Sequence, residues 1–164
     1  MKRVGRTLHR TAVAVCAVFT AMTAAPALAE GAYVGAGIGG YDAAKVFAGY
    51  EPGDRLALEL AYERTRDPLS VIFAGSRREY RGVQASLLGF LPVGRNSFYG
   101  RIGSFSWDAE DAGKKVGSGT DVAIGIGFQF GSIDTWRLRI ELEHFGSIGG
   151  FLTASVGYRF GASR

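Results

Sequence analysis

From about residue 32 onward, apolar and polar side chains alternate one by one, a period that a β-strand presents to two different surroundings and that an α-helix does not. Residues 55–64 place Leu56, Leu58, Leu60 and Tyr62 on one face and Ala57, Glu59, Ala61 and Glu63 on the other. Residues 121–130 oppose Val122, Ile124, Ile126, Phe128 and Phe130 to Asp121, Ala123, Gly125, Gly127 and Gln129. Residues 136–145 separate Trp136, Leu138, Ile140 and Leu142 from Arg137, Arg139, Glu141 and Glu143, and residues 151–160 set Leu152, Ala154, Val156, Tyr158 and Phe160 against Thr153, Ser155, Gly157 and Arg159. Weaker runs cover 33–39, 45–51, 81–91 and 98–107; in the last, Arg101 shares a face with Tyr99, Gly103, Phe105 and Trp107.

These eight runs have roughly the length of a tilted strand that crosses a bilayer, about 9–11 residues. Their connections alternate as well. Glu51-Pro52-Gly53-Asp54 suits a type II turn, with positive φ at Gly53, and 92–96 and 131–134 are comparably short, whereas 65–78 and 108–119 are longer and polar. The expectation is an all-β fold: an eight-stranded antiparallel up-and-down transmembrane β-barrel. Tyr50, Phe98, Phe130, Trp136 and Phe160 then fall on the outward face at the short-turn end as an aromatic girdle, with Tyr62 at the opposite rim. A soluble eight-stranded barrel with its apolar face inward around a ligand shares this strand pattern. Gly35, Gly37, Gly39, Gly125 and Gly127 on the polar face favour the membrane orientation, because small residues make room in a narrow lumen.

The first 29 residues have a different character. Lys2, Arg3, Arg6 and Arg10 precede an apolar stretch from 11 to 23, and Ala27-Leu28-Ala29 stands before Glu30, the pattern of a cleaved signal peptide. The expected division is therefore 1–29 as leader and 30–164 as barrel. Four of the 19 basic side chains leave with the leader, so 15 remain against 15 acids. A balanced charge removes the electrostatic footprint of a nucleic-acid partner. Cys16 also lies in the leader, which excludes disulfides and thiol chemistry from the barrel.

Several segments resemble the eight-stranded transmembrane domain of outer membrane protein A and its small porin-like relatives. They are Gly49-Tyr50, Leu58-Glu59-Leu60-Ala61-Tyr62, Gly82-Val83-Gln84, Phe98-Tyr99-Gly100-Arg101-Ile102-Gly103 with Trp107, Arg139-Ile140-Glu141, and Ser155-Val156-Gly157-Tyr158-Arg159-Phe160-Gly161. The resemblance implies an outer-membrane barrel surrounded by lipid and lipopolysaccharide. It also implies a last strand, ending in Tyr158-Arg159-Phe160, that the outer-membrane assembly machinery recognises, although Gly161 to Arg164 follow. A monomer without cofactor is expected. The resemblance further implies a lumenal plug of carboxylates and arginines, with Glu59, Arg101, Arg139 and Glu141 on matching positions and Leu88 where the family has a basic residue. No cell-wall tether is expected, since no periplasmic domain follows the last strand.

On the inward faces, the candidate lumenal network comprises Glu59, Glu63, Arg101, Gln129, Arg137, Arg139, Glu141, Glu143 and Arg159. Buried charges need partners, and an arginine fork can hold two carboxylates. Such a network is either a structural plug or a gate that passes water or small ions. Other chemistry is poorly supported. Gly35-Ala36-Gly37-Ile38-Gly39-Gly40 matches a dinucleotide fingerprint by letters but has no βαβ unit behind it. His144 and Ser147 partly resemble the pair used by lipid A deacylase barrels, but their spacing puts them on opposite faces. Asp108, Glu110, Asp111 and Asp121 would suit calcium, yet Lys114 and Lys115 sit among them. The expected role is a non-enzymatic one in envelope integrity or as a narrow pore, with surface recognition through the segments 65–78 and 108–119 as the alternative.

Overall fold

Alternating runs become strands here because each can bury one face in a narrow lumen and turn the other outward. The computed structural model describes residues 31–40, 42–66, 78–131 and 135–161. Residues 1–29, where a leader is expected, and most of the 65–78 segment lie outside the described residues. Eight strands follow in order: β1 (Ala32–Gly39), β2 (Ala43–Gly53), β3 (Leu56–Arg66), β4 (Glu79–Val93), β5 (Asn96–Asp111), β6 (Lys114–Phe130), β7 (Trp136–Phe145) and β8 (Gly149–Arg159). Each pairs antiparallel with the next, and β8 pairs with β1 to close the barrel. Closure leaves no sheet edge in the spanning region, as hydrocarbon requires.

The two faces settle the orientation. Leu56, Leu58, Leu60, Ile124, Ile126, Leu138, Ile140 and Leu142 point outward and are 44–68% exposed, whereas Glu59, Arg101, Arg139 and Glu143 point inward and are at most 4% exposed. An apolar exterior around a charged interior is the arrangement of a membrane-spanning barrel, and the inverted, soluble alternative is excluded.

Two sequence expectations about connections do not hold. Gly53 does not take the positive φ of a type II turn. Tyr50 pairs with Leu58 and Gly53 with Leu56, so Glu51 and Pro52 together oppose Ala57 in a β-bulge, and the hairpin turns at Asp54-Arg55. Proline lacks an N–H, and a bulge is where a strand can dispense with one. Likewise the segment 108–119 is no loop. It continues the β5–β6 ladder up to Asp111↔Lys114, with Val116 as the extra residue of a bulge. The turn residues Ala112 and Gly113 have φ of 49° and 78°, the signs of a type I′ turn whose twist matches the flanking strands. Ion pairs between Asp108 and Lys115 and between Arg81 and Glu110 line the outside of this extension.

Alanine at the first turn position is disfavoured because its Cβ crowds the carbonyl, whereas asparagine tolerates that conformation. Ala112→Asn is therefore expected to stabilise the barrel by about 0.5–1 kcal/mol, read from its urea midpoint. A lower midpoint would mean that the turn has another conformation.

Inside, rings lie over glycines. Tyr33 stands opposite Gly49, and Tyr99 opposite Gly127, and a Cβ at either glycine would overlap the facing phenol ring. The lumenal glycines thus admit large side chains from neighbouring strands.

Candidate functional site

The charged midsection of the lumen is built from β2, β3, β4, β5 and β7, whose inward positions fall at similar depth. Arg101 of β5 is its hub. Its Nη1 donates to Glu143 at 2.7 Å and to Gln84 at 2.8 Å, its Nη2 donates to Glu59, and its Nε lies 2.8 Å from Glu141 Oε1. Lys45 of β2 donates to both oxygens of Glu143 at 2.9 Å, and lies 3.1 Å from Glu63 and 3.4 Å from Glu141. Gln84 closes the circuit by donating to Glu143 at 3.2 Å. The residues are paired because each would otherwise be a desolvated charge.

Arg139 forms the next layer toward the short turns. Its Nε donates to Gln129 and its Nη1 to Glu59, both at 2.7 Å, while Tyr33 OH donates to the same Glu59 oxygen at 2.9 Å. The guanidinium carbon lies 4.9, 5.2 and 5.6 Å from the ring centroids of Tyr33, Phe47 and Tyr99, within cation–π range. Below this collar, Arg137 donates to Glu51, and Arg159 Nε lies 3.6 Å from the other Glu51 oxygen.

Above the charges, toward the longer connections, the lumen is apolar again. Phe105 stacks on Phe145 at 4.6 Å, and Phe145 meets Phe151 at 5.8 Å. The β7–β8 turn tucks Ile148 into this group, its N–H donating to Phe145 O at 2.7 Å. Phe105, Phe145 and Phe151 are no more than 2% exposed, and Arg101 and Arg139 no more than 4%. A water-sized sphere therefore reaches almost none of the midsection, so the described residues fill the lumen as a solid layered core.

The nine lumenal candidates all point inward, but they form two groups. Glu59, Glu63, Arg101, Gln129, Arg139, Glu141 and Glu143 belong to the midsection and collar, whereas Arg137 and Arg159 belong to the mouth at the short-turn end. The girdle candidates Tyr50, Phe98, Phe130 and Trp136 are exposed at that end, and Tyr62 is exposed near the other. Phe160 lies just beyond β8, half-buried, its ring 5.1 Å from Tyr158.

The sequence reading missed Lys45, Glu51, Gln84, Tyr33 and Tyr99 as lumenal partners. Lys45 carried the relevant signal, since it has the parity of Phe47 and Gly49 and opposes Val46 and Ala48. It also answers the departure at Leu88, which is fully buried in the lower apolar cluster. The cation that Leu88 does not supply enters from β2.

At the rim toward the longer connections, Ser147 Oγ donates to Asp121 at 2.8 Å, and Trp107 Nε1 donates to the same oxygen at 2.9 Å. His144 is on the outward face of β7, opposite Ile124 and Gly150, and no hydrogen bond joins it to Ser147 among the described residues. The four calcium candidates are not gathered: Asp108 and Glu110 take basic partners and Asp121 takes the hydroxyl and indole donors. No metal-binding group of three or more His, Cys, Asp or Glu is present among the described residues.

No family model matches this chain, nor does any curated protein sequence. Solved structures do. Neisserial surface protein A aligns over 79% of this chain and 93% of its own, with a TM-score of 0.55 and 16% identity. Outer membrane protein Ail of Yersinia pestis aligns over 80% of this chain and 100% of its own, at 0.54 and 19%. The N-terminal β-barrel domain of Pseudomonas aeruginosa OprF aligns over 79% and 95%, at 0.57 and 14%. These likenesses agree with the closed eight-stranded order, and the fold is that of the eight-stranded β-barrels of bacterial outer membranes.

Proposed function

We propose that the protein is an integral, monomeric outer-membrane barrel that serves envelope integrity and whose lumen is a structural plug. The observation that carries this reading is the layered core, in which charges with mutual partners lie between two apolar clusters and almost no surface is open to water. Exchange of pairs in such a core would require several buried charges to part together. In planar bilayers the refolded chain, shown to be folded by heat-modifiable migration, is expected to give no discrete openings. Small openings in the wild type whose amplitude changes in Arg139→Ala or Glu59→Ala would make the lumen a gated pore instead.

The surroundings in this reading are outer-membrane lipid and lipopolysaccharide, reached through the assembly machinery, with no nucleic acid and no cofactor. No catalytic role is included, because His144 and Ser147 face different partners. Incubation with lipopolysaccharide should release no acyl chain. Release that disappears in His144→Ala would overturn this part.

A second reading, surface recognition, is favoured by one feature. Pairing between β6 and β7 ends at Ala123↔Phe145, with one further bond from Gly146 N to Val122 O. Residues 114–121 of β6 therefore have β5 on one side and no strand on the other among the described residues, a free edge on which an extended segment can pair. Shortening the β5–β6 hairpin should abolish binding of such a partner while heat-modifiable migration persists; unchanged binding would reject it.

A further inference from the structure

The two charged regions of the lumen are balanced in opposite ways. In the midsection Glu59, Glu63, Glu141 and Glu143 face Lys45, Arg101 and Arg139. At the short-turn mouth the excess is reversed among the described residues, since Arg137 and Arg159 share the carboxylate of Glu51.

The sharing is incomplete. Arg137 is 3% exposed and uses Nη1 for Glu51, but its Nε and Nη2 are buried with no hydrogen-bond partner among the described residues. Arg159 Nε, likewise without a hydrogen bond, stands at 3.6 Å from Glu51 Oε2, beyond hydrogen-bond length. Arg101 and Arg139 differ: Arg139 spends its Nε and Nη1 on Gln129 and Glu59, and the Nε of Arg101, though it makes no hydrogen bond, stands 2.8 Å from Glu141 Oε1.

We propose that this mouth is an anion site in which Arg137 and Arg159 bind a small oxyanion, a phosphate or a carboxylate, beside Glu51. A guanidinium edge offers two parallel N–H donors at the spacing of two oxygens on one phosphorus or carbon. The free Nε of Arg137 is one donor of such an edge. Arg137 stands opposite Gly157, so β8 places no side chain beside it, and a Cβ there would be in ordinary contact with Val34 O and Phe47. Arg159, with 20% of its side chain exposed, forms the way in from the short-turn end. The collar of Tyr33 and Phe47 above limits the ligand to a small ion or to the end group of a larger molecule.

The test uses the full refolded chain in lipid nanodiscs with isotope-labelled arginine. Inorganic phosphate and acetate are titrated separately at constant ionic strength while the arginine Nε–Hε resonances are followed. Saturable shifts of Arg137 and Arg159 are expected. They should be lost in Arg137→Gln, weakened in Arg159→Gln, and reached at about tenfold lower concentration in Glu51→Gln, where the competing carboxylate is gone. Tighter phosphate binding would assign the site to phosphates, and tighter acetate binding to free carboxylates. Linear, non-saturable drift would overturn the proposal, as would shifts that survive in Arg137→Gln. Arg159, being partly exposed, is the variant that reports if Arg137→Gln does not fold, and unchanged binding in Arg159→Gln would equally overturn it.

Discussion

Replacing Arg101 by alanine is expected to lower the unfolding free energy of the barrel by about 3–5 kcal/mol, among the largest effects of any single substitution in this chain. Arg101 touches Glu59, Glu141 and Glu143 together. Without it, Glu59 keeps Arg139, while Glu63, Glu141 and Glu143 share Lys45, so four carboxylates remain buried near one another with two cations between them. The stability is lost mainly through the charges left behind, with a cavity term added for the missing side chain. The same logic gives the control. Arg101→Met combined with Glu59→Gln removes one charge of each sign and most of the void, and should recover a large part of the loss. Urea unfolding in lipid vesicles measures both variants. A loss below about 1 kcal/mol for Arg101→Ala would place the midsection in contact with water, since exposed pairs contribute that little, and the solid-core account would then fail.

How much of this was legible in the sequence depends on whether the two faces of a strand meet different surroundings. On β3 and β7 every outward residue meets lipid and every inward one meets charge, so Leu58 against Glu59 and Ile140 against Arg139 declare both fold and site. On the outer extension of β5 and β6 both faces of residues such as Ser118 and Lys115 are polar and largely exposed. The period persists there but carries no contrast, and the segment looked like a loop. The turn at 51–54 failed for a related reason. Pro-Gly fits a type II turn by local preference, but the ladder between β2 and β3 instead used Pro52 in a bulge and turned two residues later. Lys45 was overlooked because a lone cation in a short, weak run states its face only through parity with Phe47.

A charge on the outside tests the surroundings of the barrel, as Arg101 tests its inside. Ile126 is outward at mid-height on β6 and 68% exposed, so in a soluble barrel Ile126→Arg would be an ordinary surface change within about 0.5 kcal/mol. In a bilayer the arginine lies in hydrocarbon, and the expected loss is about 2–4 kcal/mol near the midplane. The size of the loss should depend on position along the strand, because each pair of residues advances about 6.6 Å. Ser118→Arg, on the same face of β6 but beside Asp108 in the extension, should fall within about 0.5 kcal/mol of the wild type. Urea unfolding of both variants in vesicles gives the comparison. Equal, small effects at 118 and 126 would mean that the leucine and isoleucine belt does not sit in lipid. A loss confined to 126 ties the polarity of the strands to a membrane by energy, independently of the likeness in fold.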